Sequence, residues 1–214
     1  LSAEGKTGFR YHGMARPRAA EIEEIRFLIS LAEKYEAALY IAHVSTAEAA
    51  ELIRGARKRG IMIMCETCPH YLIKTEEVYC TDNAALAIAS PPLRTREDTE
   101  ALFEALRDDT IQCVSSDHCA FARSVKRASN SCFDMPAGIS GVETLLPLMY
   151  TYGVKANRIS LERMVKVTST NPADIFGLKN KGGIYVGKDA DMVIFDPSSY
   201  GVFSAENLVS RSEY

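Results

Sequence analysis

The chain has 214 residues, of which 47% are hydrophobic and 25% charged, with a formal net charge of -3. Such a composition is ordinary for a globular domain, and the slight acidity leaves no basic face for nucleic acid or anionic lipid, so a small-molecule partner is expected. No run reaches the roughly 18 apolar residues of a membrane span.

In chain order, residues 18–36 set Ile22, Ile25, Leu28, Ile29 and Ala32 at helical spacing. "AALYIAHVS" (37–45) reads as a short buried strand, and 46–60 as a helix with Thr46 as N-cap and Gly60 at its C-terminal end. "IMIMCET" (61–67) reads as a second strand. "AALAIAS" (84–90), stopped by Pro91 and Pro92, reads as a third. A helix is expected over 95–109 and a fourth strand over 110–118. Residues 122–141 are polar and glycine-containing, a loop over a site, with helices at about 143–152 and 160–167 beyond. Residues 181–197 alternate like a hairpin that turns at Gly187 to Asp189.

Strands alternating with helices predict βαβ units and a parallel sheet. No glycine-rich phosphate loop follows any strand, which favours a (β/α) barrel over a nucleotide-binding sheet. Chemistry in such a barrel sits at the strand C-termini. There the sequence puts His43, the stretch Glu66 to His70, Ser90 and Asp117. A single strand histidine is ordinarily a core residue, but a carboxylate ending an apolar strand needs a partner. Three such residues at three strand ends point to a metal centre, since imidazole and carboxylate suit zinc and similar ions. The alternative is a zinc knuckle or redox pair at Cys65-x-x-Cys68. A structural zinc site needs a second pair, which Cys80, Cys113, Cys119 and Cys132 do not supply. Six cysteines without regular spacing fit a reducing cytoplasm, and Cys65 and Cys68 read as packing residues. His118 reads as an orienter of Asp117 or a mere neighbour, and His12 carries no signal.

The ordered motifs "YIAHVST", "CETCPHYL", "SPPLR", "SSDHCAF", "PAGISGVETLLPLMY", "TSTNPADIFGL" and "GGIYVGKDADMVIFDP" resemble the cyclic amidohydrolases: hydantoinase, dihydropyrimidinase, dihydroorotase and allantoinase. The resemblance implies an α/β fold, a (β/α)8 TIM barrel of the metal-dependent hydrolase type, plus part of a small β-sandwich appendage. It implies two divalent metal ions, most often Zn2+, bridged by a carboxylated lysine. His43 and His70 match the two histidines of the second metal, from strands five and six. Asp117, ending strand eight, matches the carboxylate that binds the first metal and shuttles the proton. Ser90 and Ala137 fall where hydantoinases hold the substrate ring, although Ala137 stands where asparagine is usual. Cys119-Ala120-Phe121 differs from the usual dihydroorotase pattern, which ranks hydantoinase or dihydropyrimidinase first.

The H-x-H of strand one and the bridging lysine have no counterpart here, and a barrel of this type takes about 250 residues. The chain therefore reads as a C-terminal portion, with 1–178 part of the barrel and 179–214 part of the appendage. About four strands of eight are expected, and the segment alone is expected to be inactive. The implied partners are a small cyclic amide or ureide and further copies of the same chain, a tetramer or dimer. A non-catalytic scaffold of the same fold is the rival reading.

Overall fold

The computed structural model describes residues 1–210 and 213–214. Three parallel strands, β1 (Leu39–Ile41), β2 (Ile63–Thr67) and β3 (Cys113–Val114), lie in the order β1-β2-β3. Leu39 is in register with Ile63, and Glu66 with Cys113. Each crossover is helical, as parallel neighbours require. Ala47–Lys58 joins β1 to β2, and Arg96–Arg107 precedes β3.

The helices form where their sequences provide caps. Thr46 accepts the Ala49 N–H, and Thr95 and Asp98 form a reciprocal capping box at the start of Arg96–Arg107. Helix Arg18–Tyr35 ends at Glu36 in the left-handed region, where the Ala37 N–H closes on the Ala32 carbonyl. Its buried stripe Ile25, Ile29 and Ala32 keeps helical spacing.

Along β2 the alternate residues Ile63, Cys65 and Thr67 are buried, while Met64 and Glu66 on the other face are half-buried. Ile53, Leu102, Phe103 and Leu106 join the buried set in one continuous core. Each such side chain contributes about 1.5–3 kcal/mol on burial. Asp98, almost fully buried, unites three helices: it receives the Arg18 guanidinium (2.8 Å) and the Ala47 N–H (2.9 Å) while capping its own helix. Burial opposes its charge, but these donors outweigh it and hold its carboxyl below the usual range.

Three expectations are corrected. Residues 84–90 form no strand: Ala84–Ala87 is a single 3-10 turn, followed by buried Ile88 and Ala89. The apolar run is buried, but no neighbouring strand satisfies its last carbonyls: His12 meets that of Ala89, and Lys126 and the Gly138 N–H meet that of Ile88. Three strands are therefore present among the described residues, not four, and β2 pairs directly with β3. Counting back from Asp117 on strand eight puts His43 after strand six and the His70 turn after strand seven, not five and six.

The 181–197 hairpin forms only its turn. Gly187 takes a φ of 89° and the Lys188 N–H meets the Tyr185 carbonyl, but no ladder follows. Val186 and Ile194 are fully exposed. Alternation builds a strand only where one face is covered, and no described residue covers this one. The expected helices past residue 142 do form, Leu145–Leu148 and Leu161–Val165, each running on into wider π-helical turns at Met149–Val154 and Lys166–Thr170. No helix among the described residues is long and apolar enough to cross a membrane.

Candidate metal centre

The sheet delivers its chemistry just past its C-terminal edge. Two residues beyond β1, His43 sits at φ 43°, and three beyond β3, Asp117 sits at φ 44°. Left-handed backbone at a non-glycine residue is uncommon and is tolerated where neighbouring contacts over-determine it. Those contacts are present: the Val44 N–H donates to the Glu66 carbonyl, and the Ser115 N–H to that of Thr67. Both side chains are half-buried.

His70 arrives differently. Thr67 ends β2, Cys68 is extended, and Pro69 opens a short helix, Pro69–Ile73, suiting a first helical position that needs no N–H donor. This turn buries His70 and leaves its Nε2 without a hydrogen-bond partner. An unsatisfied buried nitrogen costs about 1–3 kcal/mol, so the arrangement calls for a ligand. Burial, reinforced by the His43 imidazole, lowers the His70 pKa to about 4. The ring is neutral at physiological pH, the form that binds metal.

Ligand atoms of His70, Asp117 and Cys68 lie within 4.8 Å of one another. This donor set suits a divalent ion such as zinc. His43 stands close enough to act electrostatically on both His70 and Asp117. Burial raises the Asp117 pKa, the Glu66 carboxylate adds to this, and His43 opposes it.

The sequence reading missed Cys68. Its thiol lies in the cluster, 3.5 Å from the Ser115 hydroxyl, but burial pushes its pKa far up and keeps it protonated. Cys65 is the packing residue expected, buried with its thiol on the Thr110 carbonyl at 3.3 Å. Cys65→Ser is expected to leave bound metal unchanged; metal analysis showing loss of an equivalent would revive the knuckle.

Glu66, within the stretch the sequence placed at a strand end, accepts the Tyr40 hydroxyl (2.6 Å) and the Ser115 hydroxyl (2.7 Å), tying β2 to β1 and to the residue after β3. His118 is exposed and does not bond Asp117 in this arrangement: its Nδ1 accepts the N–H groups of Gly141 and Val142, fastening the following loop. A cavity of about 460 Å3 adjoins the centre, lined by His70, Ser116, Ile139, Ser140 and Gly141 together with Lys74 and Arg123. Ser90 is exposed at the head of its loop and Ala137 is half-buried; neither lines this cavity.

Residues 7–211 match the amidohydrolase family model. The chain belongs to the amidohydrolase family. Among its relatives, the dihydroorotase of Acetivibrio thermocellus is 40% identical over 198 residues, 92% of this chain and 45% of that protein. The D-hydantoinase of Ralstonia pickettii is 38% identical over 217 residues, 99% of this chain and 47% of that protein. The crystal structure of dihydropyrimidinase from Brevibacillus agri superposes with a TM-score of 0.92 at 37% identity, covering 96% of this chain and 46% of that one. This amidohydrolase chain thus spans about half the length of the relatives it matches, and its three-stranded sheet is part of a metal-dependent hydrolase barrel.

Proposed function

We propose that the protein carrying this chain opens a cyclic amide or imide by hydrolysing a ring C–N bond, with hydantoin- or dihydropyrimidine-type rings as substrates. The carrying observation is buried His70, whose Nε2 has no hydrogen-bond partner and one of whose ring nitrogens lies within 4.8 Å of an Asp117 carboxylate oxygen. His43, His70 and Asp117 are the metal ligands in this reading, His70 on its own geometry, because its turn follows strand seven and not a strand end that the resemblance gives to a histidine; two divalent ions, zinc foremost, are the cofactors. The H-x-H pair and the carboxylated bridging lysine belong to the part of the barrel that this chain does not span.

Divalent ions bound there polarise a carbonyl and acidify water at neutral pH. Asp117 takes the proton of the attacking water and returns it to the departing ring nitrogen, so that a ureido or carbamoyl acid leaves. Backbone groups at Ser90 and Ala137 hold the ring. Residues 1–178 are the barrel part and 179–214 the appendage; the protein is cytoplasmic and a homo-oligomer, a dimer or tetramer.

Dihydroorotase and allantoinase chemistry differ only in the ring presented, and the dihydroorotase relative at 40% identity keeps that reading open. His43 and Asp117 at two strand ends, with the unpartnered His70 beside them, argue against a non-catalytic scaffold. The test is turnover of dihydrouracil, hydantoin, dihydroorotate and allantoin by the whole protein. Opening of one of the first two supports the reading, opening of dihydroorotate or allantoin alone moves the substrate, and no turnover with metal bound favours the scaffold. His43→Ala and His70→Ala are each expected to remove at least one metal equivalent and the activity with it. Full metal content in both, by elemental analysis, would refute the ligand assignment.

A further inference from the structure

Lys126 lies in the polar loop after β3 and is wholly buried, an unusual place for a lysine. Its three ammonium protons are all engaged, by the carbonyls of Ile88 (2.9 Å), Pro136 (3.0 Å) and Gly138 (3.0 Å). The first precedes Ser90 by two residues, and the other two flank Ala137. His12 acts on the same stretch: its buried Nε2 meets the Ala89 carbonyl at 2.8 Å. We infer that Lys126, seconded by His12, is a positioning residue that locks together the two backbone segments holding the substrate ring. The inference rests on the reading of Ser90 and Ala137 given above.

Peptide geometry supplies the reason. In a trans peptide the C=O and N–H point in opposite directions. Turning the Pro136 carbonyl onto Lys126 therefore aims the Ala137 N–H away from the ammonium. Turning the Ala89 carbonyl onto His12 does the same for the Ser90 N–H. A backbone donor survives the exchange of asparagine for Ala137, provided its direction is fixed. The segments are also joined directly, since the Gly138 N–H donates to the Ile88 carbonyl at 2.9 Å. Gly138 packs so closely that an added Cβ would stand 2.4 Å from the Cys119 carbonyl oxygen.

An apolar side chain would fill the same space without the cost of burying a charge. That cost is visible in the Lys126 pKa, which burial lowers to about 8. Packing alone does not account for an ammonium whose three acceptors all lie in the two ring-holding segments.

The test compares Lys126→Met and Lys126→Gln with wild type in the whole protein. It reads KM and kcat on the ring the wild type opens, bound metal, and amide hydrogen exchange at Gly138. Lys126→Met is expected to raise KM about tenfold or more, as misplaced binding groups do. Metal content should stay unchanged, and the Gly138 amide should exchange at least several-fold faster. Lys126→Gln keeps two donors on a shorter arm and should show the same split to a smaller degree; it serves if the methionine variant does not fold. KM within twofold of wild type, with unchanged Gly138 exchange, would overturn the inference while leaving the proposed hydrolysis intact. A wild type that opens no ring would sink the proposed hydrolysis instead. Gly138 exchange would then decide alone whether Lys126 locks the two segments.

Discussion

Asp117→Asn is expected to lower kcat/KM by about a thousandfold, within the 10²–10⁴ that a positioned proton carrier contributes. The substitution isolates the proton. Asparagine is nearly isosteric with aspartate and is among the residues most at ease at positive φ, so the φ of 44° costs it little. It keeps an oxygen that can face a metal, but cannot take a proton from water and pass it to a ring nitrogen. Activity should therefore fall far more than metal content. Loss of both in equal proportion would make Asp117 a ligand only, and activity within tenfold of wild type would remove it from the proton path.

Arg94→Met is expected to be the most destabilising of the substitutions considered. Arg94 is 5% exposed and forms a buried ion pair with Glu21 at 3.3 Å. Its guanidinium also donates to the Arg16 carbonyl (3.0 Å) and the Ser45 hydroxyl (3.2 Å). Glu21 in turn accepts the Ser45 N–H at 2.9 Å. The cluster fastens helix Arg18–Tyr35 and the loop after Ser90 to the turn that carries His43. Removing one partner leaves Glu21 buried and uncompensated, a loss of about 3–5 kcal/mol. In the whole protein it should lower the melting midpoint by several degrees. Glu21→Met together with Arg94→Met should recover part of it, because no buried charge is then left alone. A single Arg94→Met variant melting within 2 °C of wild type would contradict this.

Much of this frame was legible in the sequence because it depends on local signals. The β1, β2 and β3 strands fall inside runs whose apolar content and length mark buried strands. Thr46 announces the helix that follows it, and the helix expected over 95–109 forms as Arg96–Arg107. The sequence also singled out His43, His70 and Asp117, since strand ends are where barrel chemistry gathers. Residues 84–90 misled because an apolar run before a proline looks the same whether its carbonyls meet a strand or meet His12 and Lys126. Both partners are distant in sequence: His12 lies 77 positions from Ala89, and Lys126 lies 38 from Ile88. Residues 181–197 misled for the opposite reason. Their alternation is real, but a strand needs a covering surface as well as a pattern. Cys68, in a pair read as packing, joined the cluster because the Pro69 turn brings it beside Asp117. No spacing rule shows that.

The most direct test of the metal centre is X-ray diffraction from crystals of the whole protein grown with zinc, with data collected on both sides of the zinc absorption edge. The expected result is an anomalous peak within about 2.0–2.2 Å of a nitrogen of His43 or His70 and of an Asp117 oxygen, the distances at which zinc takes these ligands. Zinc elsewhere, or a site formed by Cys65 and Cys68 without either histidine, would contradict the account.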